Sequence, residues 1–516
     1  MHVVFIRAPR YIWPFINESD NWLMPLGYAS LAAYLREFGI DVEIIDCPPL
    51  KMGWKSLREK MASLNPDIVG VGDETVYSHE GLKALKLAKK LYPDVVTVAG
   101  GHHFSNIVEE SLKTGAIDFI VKWEAEKSLH QLIQTLEKGE SNYEDINGLA
   151  FINKNGAFIE TPPMPLIEDL DTLPMPAYDL LPMEEYTKSS IFYLNSASIY
   201  HSRGCIGNCS FCSCWINMAE HQLKDGEIKR FPRYRTMSPE KVIEHVDILH
   251  NKYGIQGLVW VDDTFNADQK WNEKFSDLII DRGLDGLHWW AFLRADFIVR
   301  DEKAGIFDKM YRAGLEHALI GVERPTSQGR EKFKKFNYSQ HMTKLAFRIL
   351  TENYPNIFIQ ATFLTGIRNE TKQSMLNLFE YAKELKVDYP SFHAVTPNPG
   401  TDLWYEAKEK GWIEVDDFRQ YDWFTPIMPS KYMDREEIAQ TQREITTKFA
   451  GRPVWWLKGA FNSNKHRRKL YWWAASQGFK VILNNILEKF GLKKFDPNIA
   501  EMSGFMHLKR PSWYNS

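Results

Sequence analysis

The run HSRGCIGNCSFCSCW, His201 to Trp215, holds Cys205, Cys209 and Cys212 in the spacing CxxxCxxC, with Gly204 and Gly207 available to let the backbone wrap. Three thiols in one short loop form a cradle for an iron–sulfur cluster. A cubane 4Fe-4S cluster bound by three thiolates keeps one iron without a protein ligand, and chemistry can start at that vacancy. The competing reading is a structural zinc site, which needs four closed ligands and would take the fourth from Cys214 or His201. Cysteine pairs that bind zinc normally recur as a second, distant pair. None is present: the remaining cysteine, Cys47, lies far upstream beside Pro48 and Pro49. A zinc-stabilised binding protein without catalysis is therefore the alternative from another class.

Downstream of this loop a series of β and α units continues from about residue 195. Ser238 and Pro239 open a helix with Val242, Val246 and Leu249 on one face, in the cap and first-turn positions those residues favour. The candidate strands are GLVWV (257–261), WWAFL (289–293), HALIG (317–321), IQATFL (359–364) and FHAV (392–395). Each ends in polar residues, in turn Asp262 with Asp263, Arg294, Glu323, Thr365 with Gly366, and Thr396. Such groups at the same end of successive parallel strands ring the mouth of a barrel, where the sites of such barrels lie. Either aspartate alone also fits a simple helix cap.

Upstream, short β-rich runs alternate with helical periodicity, which predicts a parallel sheet covered by helices. Val3 to Ile6 is the first strand. Tyr28, Leu31, Ala32, Leu35 and Phe38 then recur at helical spacing before Gly39. VEIID (42–46), DIVGVG (67–72), VVTVAGG (95–101) and IDFIV (117–121) are apolar on both faces, as buried parallel strands must be. Ligands of such sheets bind beyond the carboxyl ends of strands. Asp46, Asp73 with Thr75, and Gly100 to His103 are thus expected to converge on one crevice. TPPMP (161–165) and LPMPAYDLLP (173–182) suit neither helix nor central strand and predict a connector. Beyond Val454, Trp455, Trp456, Phe461, Tyr471, Trp472, Trp473, Phe479 and Ile482 interleave with Lys458, Lys465, Arg467, Arg468, Lys469 and Lys480. That pattern suits an interfacial helix on an anionic membrane, a platform for a flat apolar substrate, or a packed cap on the barrel.

With 516 residues the chain exceeds a single ordinary core, so two or three domains are expected. A hydrophobic content of 44% with 25% charged residues describes a soluble globular protein. Lys+Arg of 63 against Asp+Glu of 67 gives a net charge of −4 and no electrostatic case for nucleic acid. Five cysteines argue against a disulfide scaffold and for a reducing compartment. MHVVFIRAP lacks the basic flank and small-residue cleavage site of a signal peptide. No stretch is apolar for long enough to span a bilayer. These features predict a cytoplasmic protein, with membrane-surface association left open.

The cysteine spacing, with Phe211 before the third cysteine, resembles the signature of the radical S-adenosylmethionine (radical SAM) enzymes. PLGYASLAAYLREFGIDVEIID (25–46), PDIVGVGDETVYS (66–78), VTVAGGHHFS (96–105) and IDFIVKWEAE (117–126) resemble, in order, the cobalamin-binding domain carried by one subgroup. VDDTF (261–265), IGVERPTSQ (320–328), FLTGIRNET (363–371) and TPNPGTDLW (396–404) resemble its barrel. DDFRQYDWFTPIM (416–428) and KHRRK (465–469) are similar to the (bacterio)chlorophyll-modifying members, among them the anaerobic magnesium-protoporphyrin IX monomethyl ester cyclases. The resemblance covers nearly the whole chain; the cysteine loop is its most specific part.

It implies an α/β fold: a doubly wound, Rossmann-like cobalamin-binding sheet over 1–145, a connector over 146–194, a radical SAM partial (β/α) barrel over 195–410 and a helical, Trp-rich region over 411–516. It implies that Cys205, Cys209 and Cys212 ligate the cluster, that the open iron chelates SAM, and that a 5′-deoxyadenosyl radical attacks an unactivated C–H bond. Phe211 would lie near the adenine, Glu323 and Arg294 would contact SAM, and Asp262, Asp263 and Glu323 would serve catalysis. Thr75, Gly100, Gly101 and His102 would meet cobalamin, the glycines admitting the corrin against backbone. An external flavodoxin or ferredoxin would supply electrons. The implied substrate is large and apolar, a tetrapyrrole or a lipid, and Trp260, Trp289 and Trp290 suit it. Oxidation, cyclisation and methylation all remain open, including a cobalamin-dependent methylase of a lipid or natural product. Two departures stand out: the DxHxxG motif for a lower cobalt ligand is absent, and Trp123-Glu124-Ala125-Glu126 replaces the usual GEGE, where the indole would crowd the crevice.

Overall fold

Apolar runs in the first third of the chain become the strands they predict. They are β1 (His2–Arg7), β2 (Asp41–Asp46), β3 (Ile68–Gly72), β4 (Val96–Gly100) and β5 (Phe119–Val121). All pair in parallel in the order β2-β1-β3-β4-β5, the flavodoxin-like winding whose switch point lies between β1 and β3. The helix Leu26–Arg36 buries Tyr28, Ala32 and Leu35 against this sheet. The chain turns at Gly39 with φ +75°; Phe38, expected on the helix face, instead sits in that turn, half exposed. The structure is a computed structural model describing residues 1–9, 23–50, 52–188, 195–325 and 340–472 with the single positions 475, 487, 490 and 491. Trp473, Phe479, Lys480 and Ile482 of the aromatic tail, and Thr326 to Gln328, lie outside those residues.

Two strands assigned by sequence to the connector extend the first sheet instead. β6 (Leu149–Ile152) and β7 (Phe158–Glu160) add antiparallel to β5. Their turn is closed by Asn153, whose carbonyl accepts the Gly156 amide at 2.9 Å. The rest of the connector is packed mortar: Leu166, Ile167, Leu170, Leu173, Tyr178 and Leu181 are buried. The Tyr178 hydroxyl donates to the Ser198 carbonyl at 2.8 Å.

A second sheet of six parallel strands forms an open barrel wall. Its strands are β8 (Ser196–Ile199), β13 (Gly257–Trp260), β14 (His288–Leu293), β15 (Leu315–Glu323), β16 (Phe358–Thr365) and β17 (Tyr389–Ala394), in that spatial order. Between β8 and β13 the chain makes β9 (Ser202–Gly204), the hairpin β10 (Glu220–Lys224) with β11 (Glu227–Phe231), and β12 (Tyr234–Thr236), which pairs back on β9. The helix Pro239–Tyr253 starts as its sequence predicts, the Ser238 hydroxyl accepting the Lys241 amide at 3.1 Å. Such a cap contributes about 1 kcal/mol.

Strand alternation sorts the three tryptophans. Trp260 and Trp289 pack under the helices with Phe265, Trp271 and Phe275, so they are core formers rather than substrate contacts. Trp290 points into the barrel with Val259 and Phe358. That interior is closed at the amino ends of the strands by the tail. Leu470 and Tyr471 join the same cluster, the Tyr471 hydroxyl donates to Asp388 at 3.0 Å, and Arg467 pairs with Asp388. The described part of the tail is thus a plug at the opposite end from the cysteine loop.

Gly101 stands at the carboxyl end of β4 with φ +78°, and a Cβ there would meet the Asp73 amide nitrogen at 2.9 Å. Gly101→Ala should therefore destabilise by about 1–3 kcal/mol, read as a lower thermal midpoint of the first domain's far-UV signal. An unchanged midpoint would contradict the close approach.

Candidate active site at the barrel mouth

The cysteine loop leaves β9 at the carboxyl ends of the barrel strands. Cys205, Cys209 and Cys212 are partly exposed there, whereas Cys47 is buried. The loop is shaped from within and from outside. The Cys212 amide donates to the Cys209 carbonyl at 3.1 Å, the Trp215 indole to the same carbonyl at 3.1 Å, and the Leu403 amide to the Ser210 carbonyl at 2.9 Å. Phe211 packs with Leu364, Val395 and Leu403 at the ends of β16 and β17.

The segment Asp262 to Asn266, following β13, organises this mouth. Asp262 is buried, and its Oδ1 accepts the amides of His201 at 3.0 Å and Ser202 at 2.6 Å, with the Ser202 hydroxyl at 2.5 Å. It lies 2.9 Å from His201 Nδ1, while His201 Nε2 is 3.2 Å from the Tyr234 hydroxyl. Asp262 thus braces, through Oδ1, the backbone leading into the cysteine loop, while its buried Oδ2 has no hydrogen-bond partner among the described residues. Thr264 Oγ1 sits 3.3 Å from Cys205 Sγ. Asn266 exchanges hydrogen bonds with the backbone of Arg294, at 2.9 Å and 3.3 Å. Residues that hold a metal-binding loop in place through such hydrogen bonds are worth about 10–100-fold in metal-site activity. Asp262→Asn should lower single-turnover 5′-deoxyadenosine formation by about that factor; an unchanged rate would remove its positioning role.

Asp263 faces the cavity described below, and burial, with Asp262 beside it, pushes its carboxyl up to about 7. Burial also pushes the Cys205 thiol up, against the Thr264 hydrogen bond. Glu323 ends β15 where the register with β16 shifts, and its φ is +59°. A non-glycine residue held there is strained, and such strain gathers at functional sites. Arg294 occupies the predicted strand end, but its guanidinium grips Asp296 at 3.0 and 2.6 Å and lies over the Phe297 ring.

Of the two residues that could complete a four-ligand zinc site, His201 is held between Asp262 and Tyr234, and Cys214 hydrogen-bonds Cys212 and Asp263.

A cavity of about 370 Å3 lies between the two sheets. Its floor is Gly72, Gly100, Gly101 and Val121 at the carboxyl ends of β3 to β5, and its roof includes Ser202, Gly204, Met218 and Asp263 from the barrel side. The glycines serve the fold first: a Cβ on Gly100 would meet the Val121 carbonyl at 3.0 Å, and one on Gly72 the Tyr28 ring at 3.2 Å. The bare rim that results lines the cavity. Thr75 and His102 lie beside it rather than in it, both outside the lining. Burial lowers His102 to about 4, close to Asn217 and Pro399. Asp46 turns away to Arg7 and the Tyr186 hydroxyl, so the expected convergence of strand ends holds for Gly100 and Gly101 but not for Asp46. Trp123 is one of the residues lining the cavity. Its backbone keeps a glycine-like φ of +59°, and its ring turns aside to stack on His221 at 3.8 Å.

Sequence reasoning missed the group that joins the domains. Glu124 takes a two-pronged grip from Arg235, at 2.6 and 3.1 Å, with Arg203 at 3.3 Å and the Ile167 amide at 3.0 Å. Glu126 pairs with Arg203 at 2.6 Å. All four side chains are buried, and Arg203 is two residues from Cys205. Burial alone would raise the Glu124 carboxyl, but Arg235 and Arg203 outweigh it and hold it below the usual range. The acidic pair of WEAE was the available signal. Asp416 to Met428 closes the same mouth: the Ala394 amide donates to the Trp423 carbonyl at 2.7 Å, Phe424 lies 4.9 Å from His393, and Phe418 lies 4.9 Å from His103 of the first domain.

The chain is similar to known proteins. Residues 12–133 match the B12 binding domain and residues 199–382 the radical SAM superfamily. The chain is 30% identical over 473 residues to the anaerobic magnesium-protoporphyrin IX monomethyl ester cyclase of Rubrivivax gelatinosus, covering 91% of this chain and 80% of that one. It is also 30% identical over 438 residues to an uncharacterized methyltransferase of Pyrococcus horikoshii, 85% and 90% covered. The solved structure of OxsB, a cobalamin-dependent S-adenosylmethionine radical enzyme with aqua-cobalamin and S-adenosylmethionine bound, matches with TM-score 0.68 and 16% identity over 98% of this chain and 77% of that one. The chain belongs to the radical SAM enzymes that carry an N-terminal B12-binding domain. It is an enzyme of 4Fe-4S cluster, SAM and cobalamin. Its residues fit these groups: three accessible thiols on one wrapped loop, a strained glutamate at a neighbouring strand end, and a bare cavity at the carboxyl ends of a flavodoxin-like sheet. Among the described residues no helix is long and apolar enough to cross a membrane.

Proposed function

We propose that the enzyme functionalises an unactivated C–H bond of a tetrapyrrole, by oxidative cyclisation or hydroxylation. The observation that carries this reading is that the cysteine loop, the aromatic segment 416–428 and a cavity with Gly72, Gly100 and Gly101 in its floor lie at one end of the barrel. When bound, cluster and SAM supply hydrogen-atom abstraction from carbon, and cobalamin supplies a partner for methyl transfer or oxidation. Cys205, Cys209 and Cys212 would hold the cluster, and Phe211 would lie along the adenine. Glu323, set by its strained backbone, would take the SAM amino or ribose groups. Arg294, already bound to Asp296, would set the β14 end rather than meet SAM directly. Gly100 and Gly101 would face the corrin, with Thr75 and His102 supporting them from behind. Asp263, facing the cavity, would hold or release a proton beside the substrate. The apolar walls and the Glu124–Arg203 junction would exclude water, and a flavodoxin or ferredoxin would deliver the electron.

A methylation reading is favoured by the methyltransferase among the similar chains. One assay separates them. Anaerobically reconstituted enzyme, with SAM, cobalamin, reductant and magnesium-protoporphyrin monomethyl ester, is expected to release 5′-deoxyadenosine and a product heavier by oxygen or carrying a new ring. A gain of one methylene would support methylation. Release of 5′-deoxyadenosine with a lipid substrate and none with any tetrapyrrole would overturn the proposal.

A further inference from the structure

The plug at the bottom of the barrel has an outer face that is exposed among the described residues. In the helix Pro453–Ala460, Trp455 and Trp456 pack inward with Tyr471. The opposite side presents Val454, Leu457 and Phe461, which are 64%, 58% and 74% exposed. These positions, three and four apart, form one stripe. Trp472, 55% exposed, extends it, because its indole donates to the Ala460 carbonyl at 3.0 Å beside Phe461. Four large apolar side chains in one exposed patch need a partner.

Charge identifies that partner. Between Glu444 and Glu488 the sequence has no Asp or Glu and eight Lys or Arg, in a chain whose net charge is −4. Lys458 and Lys465 are exposed, and among the described residues neither has an ion pair with a carboxylate. We propose that this face docks the enzyme on an anionic membrane surface, the apolar stripe entering the acyl boundary and the lysines meeting phosphate headgroups. The docked face lies at the amino ends of the barrel strands, so the cofactor mouth stays turned away from the bilayer. This surface does not depend on which substrate the mouth accepts, and its test reads no turnover.

The full-length holoenzyme is mixed with sucrose-loaded vesicles of phosphatidylcholine with or without one quarter phosphatidylglycerol and sedimented. Binding is expected on the anionic vesicles, weakening with salt. Each lysine lost in Lys458→Gln and Lys465→Gln should lower the partition constant about fivefold. Leu457→Ser with Phe461→Ser, both at exposed positions, should abolish binding while leaving the near-UV spectrum and iron content unchanged. Equal binding with and without the anionic lipid, no binding at low salt, or variants that bind like the wild type would overturn the proposal. A concentration-dependent dimer lost in the Leu457→Ser/Phe461→Ser variant, without vesicle binding, would overturn it too and assign the face to a second copy of the chain.

Discussion

Cys209→Ala should abolish 5′-deoxyadenosine formation, by more than about 1,000-fold, and strip most of the iron from the anaerobically reconstituted protein. With one thiolate gone, a cubane held at three corners keeps two anchors and an exposed edge. The fold should survive, because Cys209 is partly exposed and the loop is pinned through its backbone carbonyl by Cys212 and Trp215. An unchanged far-UV spectrum and thermal midpoint are therefore part of the expected result. Full iron content and normal turnover in the variant would show that Cys209 is not a ligand.

Glu124→Gln should produce the largest loss of stability of any single change at the domain junction, about 3 kcal/mol. The neutral amide leaves the buried Arg235 without its carboxylate, and Arg203 retains only Glu126. The desolvation of those cations was compensated by the pair; removing one member leaves the cost behind. Hydrogen exchange along β12 and the connector should quicken, and limited proteolysis between 161 and 182 should become faster. Replacing Glu124 and Arg235 together by methionine should recover part of the loss, since apolar side chains of similar volume carry no stranded charge. Because the folded-state pKa of Glu124 is depressed, its contribution is complete above the unfolded value near 4.5 and fades as pH falls through the lower folded value. The wild type should thus lose this increment in acid, and the Gln variant should be flatter there. Equal stability of both at neutral pH would contradict a buried latch.

The sequence was legible where chemistry and periodicity agree. Continuous apolar runs such as Ile68 to Gly72 and Gly257 to Trp260 have one stable home, a parallel strand buried on both faces, and the polar residues after them mark the mouth. Ser238-Pro239 fixed a helix start. The hairpin β10–β11 was invisible to that logic, because its charged residues face solvent on both strands, yet Asp225-Gly226 between them, with φ +56° and +80°, is the strongest short hairpin signal in this region. The candidate ligands stand together in the sequence, whereas the residues around them do not. Spacing names Cys205, Cys209 and Cys212 because one loop carries all three. Glu124, Arg203 and Arg235 meet only after two domains dock, and no periodicity links residues more than seventy positions apart. Asp262 and Arg294 stand at the predicted strand ends, but their hydrogen bonds to Ser202 and Asp296 could not be read from the strand pattern.

Three thiolates of one loop are expected to leave one iron open for SAM. The direct measurement is the electron paramagnetic resonance spectrum of the reduced, reconstituted protein before and after SAM is added. A 4Fe-4S signal whose g values shift with SAM, and do so only when all three cysteines are present, is the predicted result. A signal indifferent to SAM, or a colourless protein carrying one zinc per chain, would contradict it.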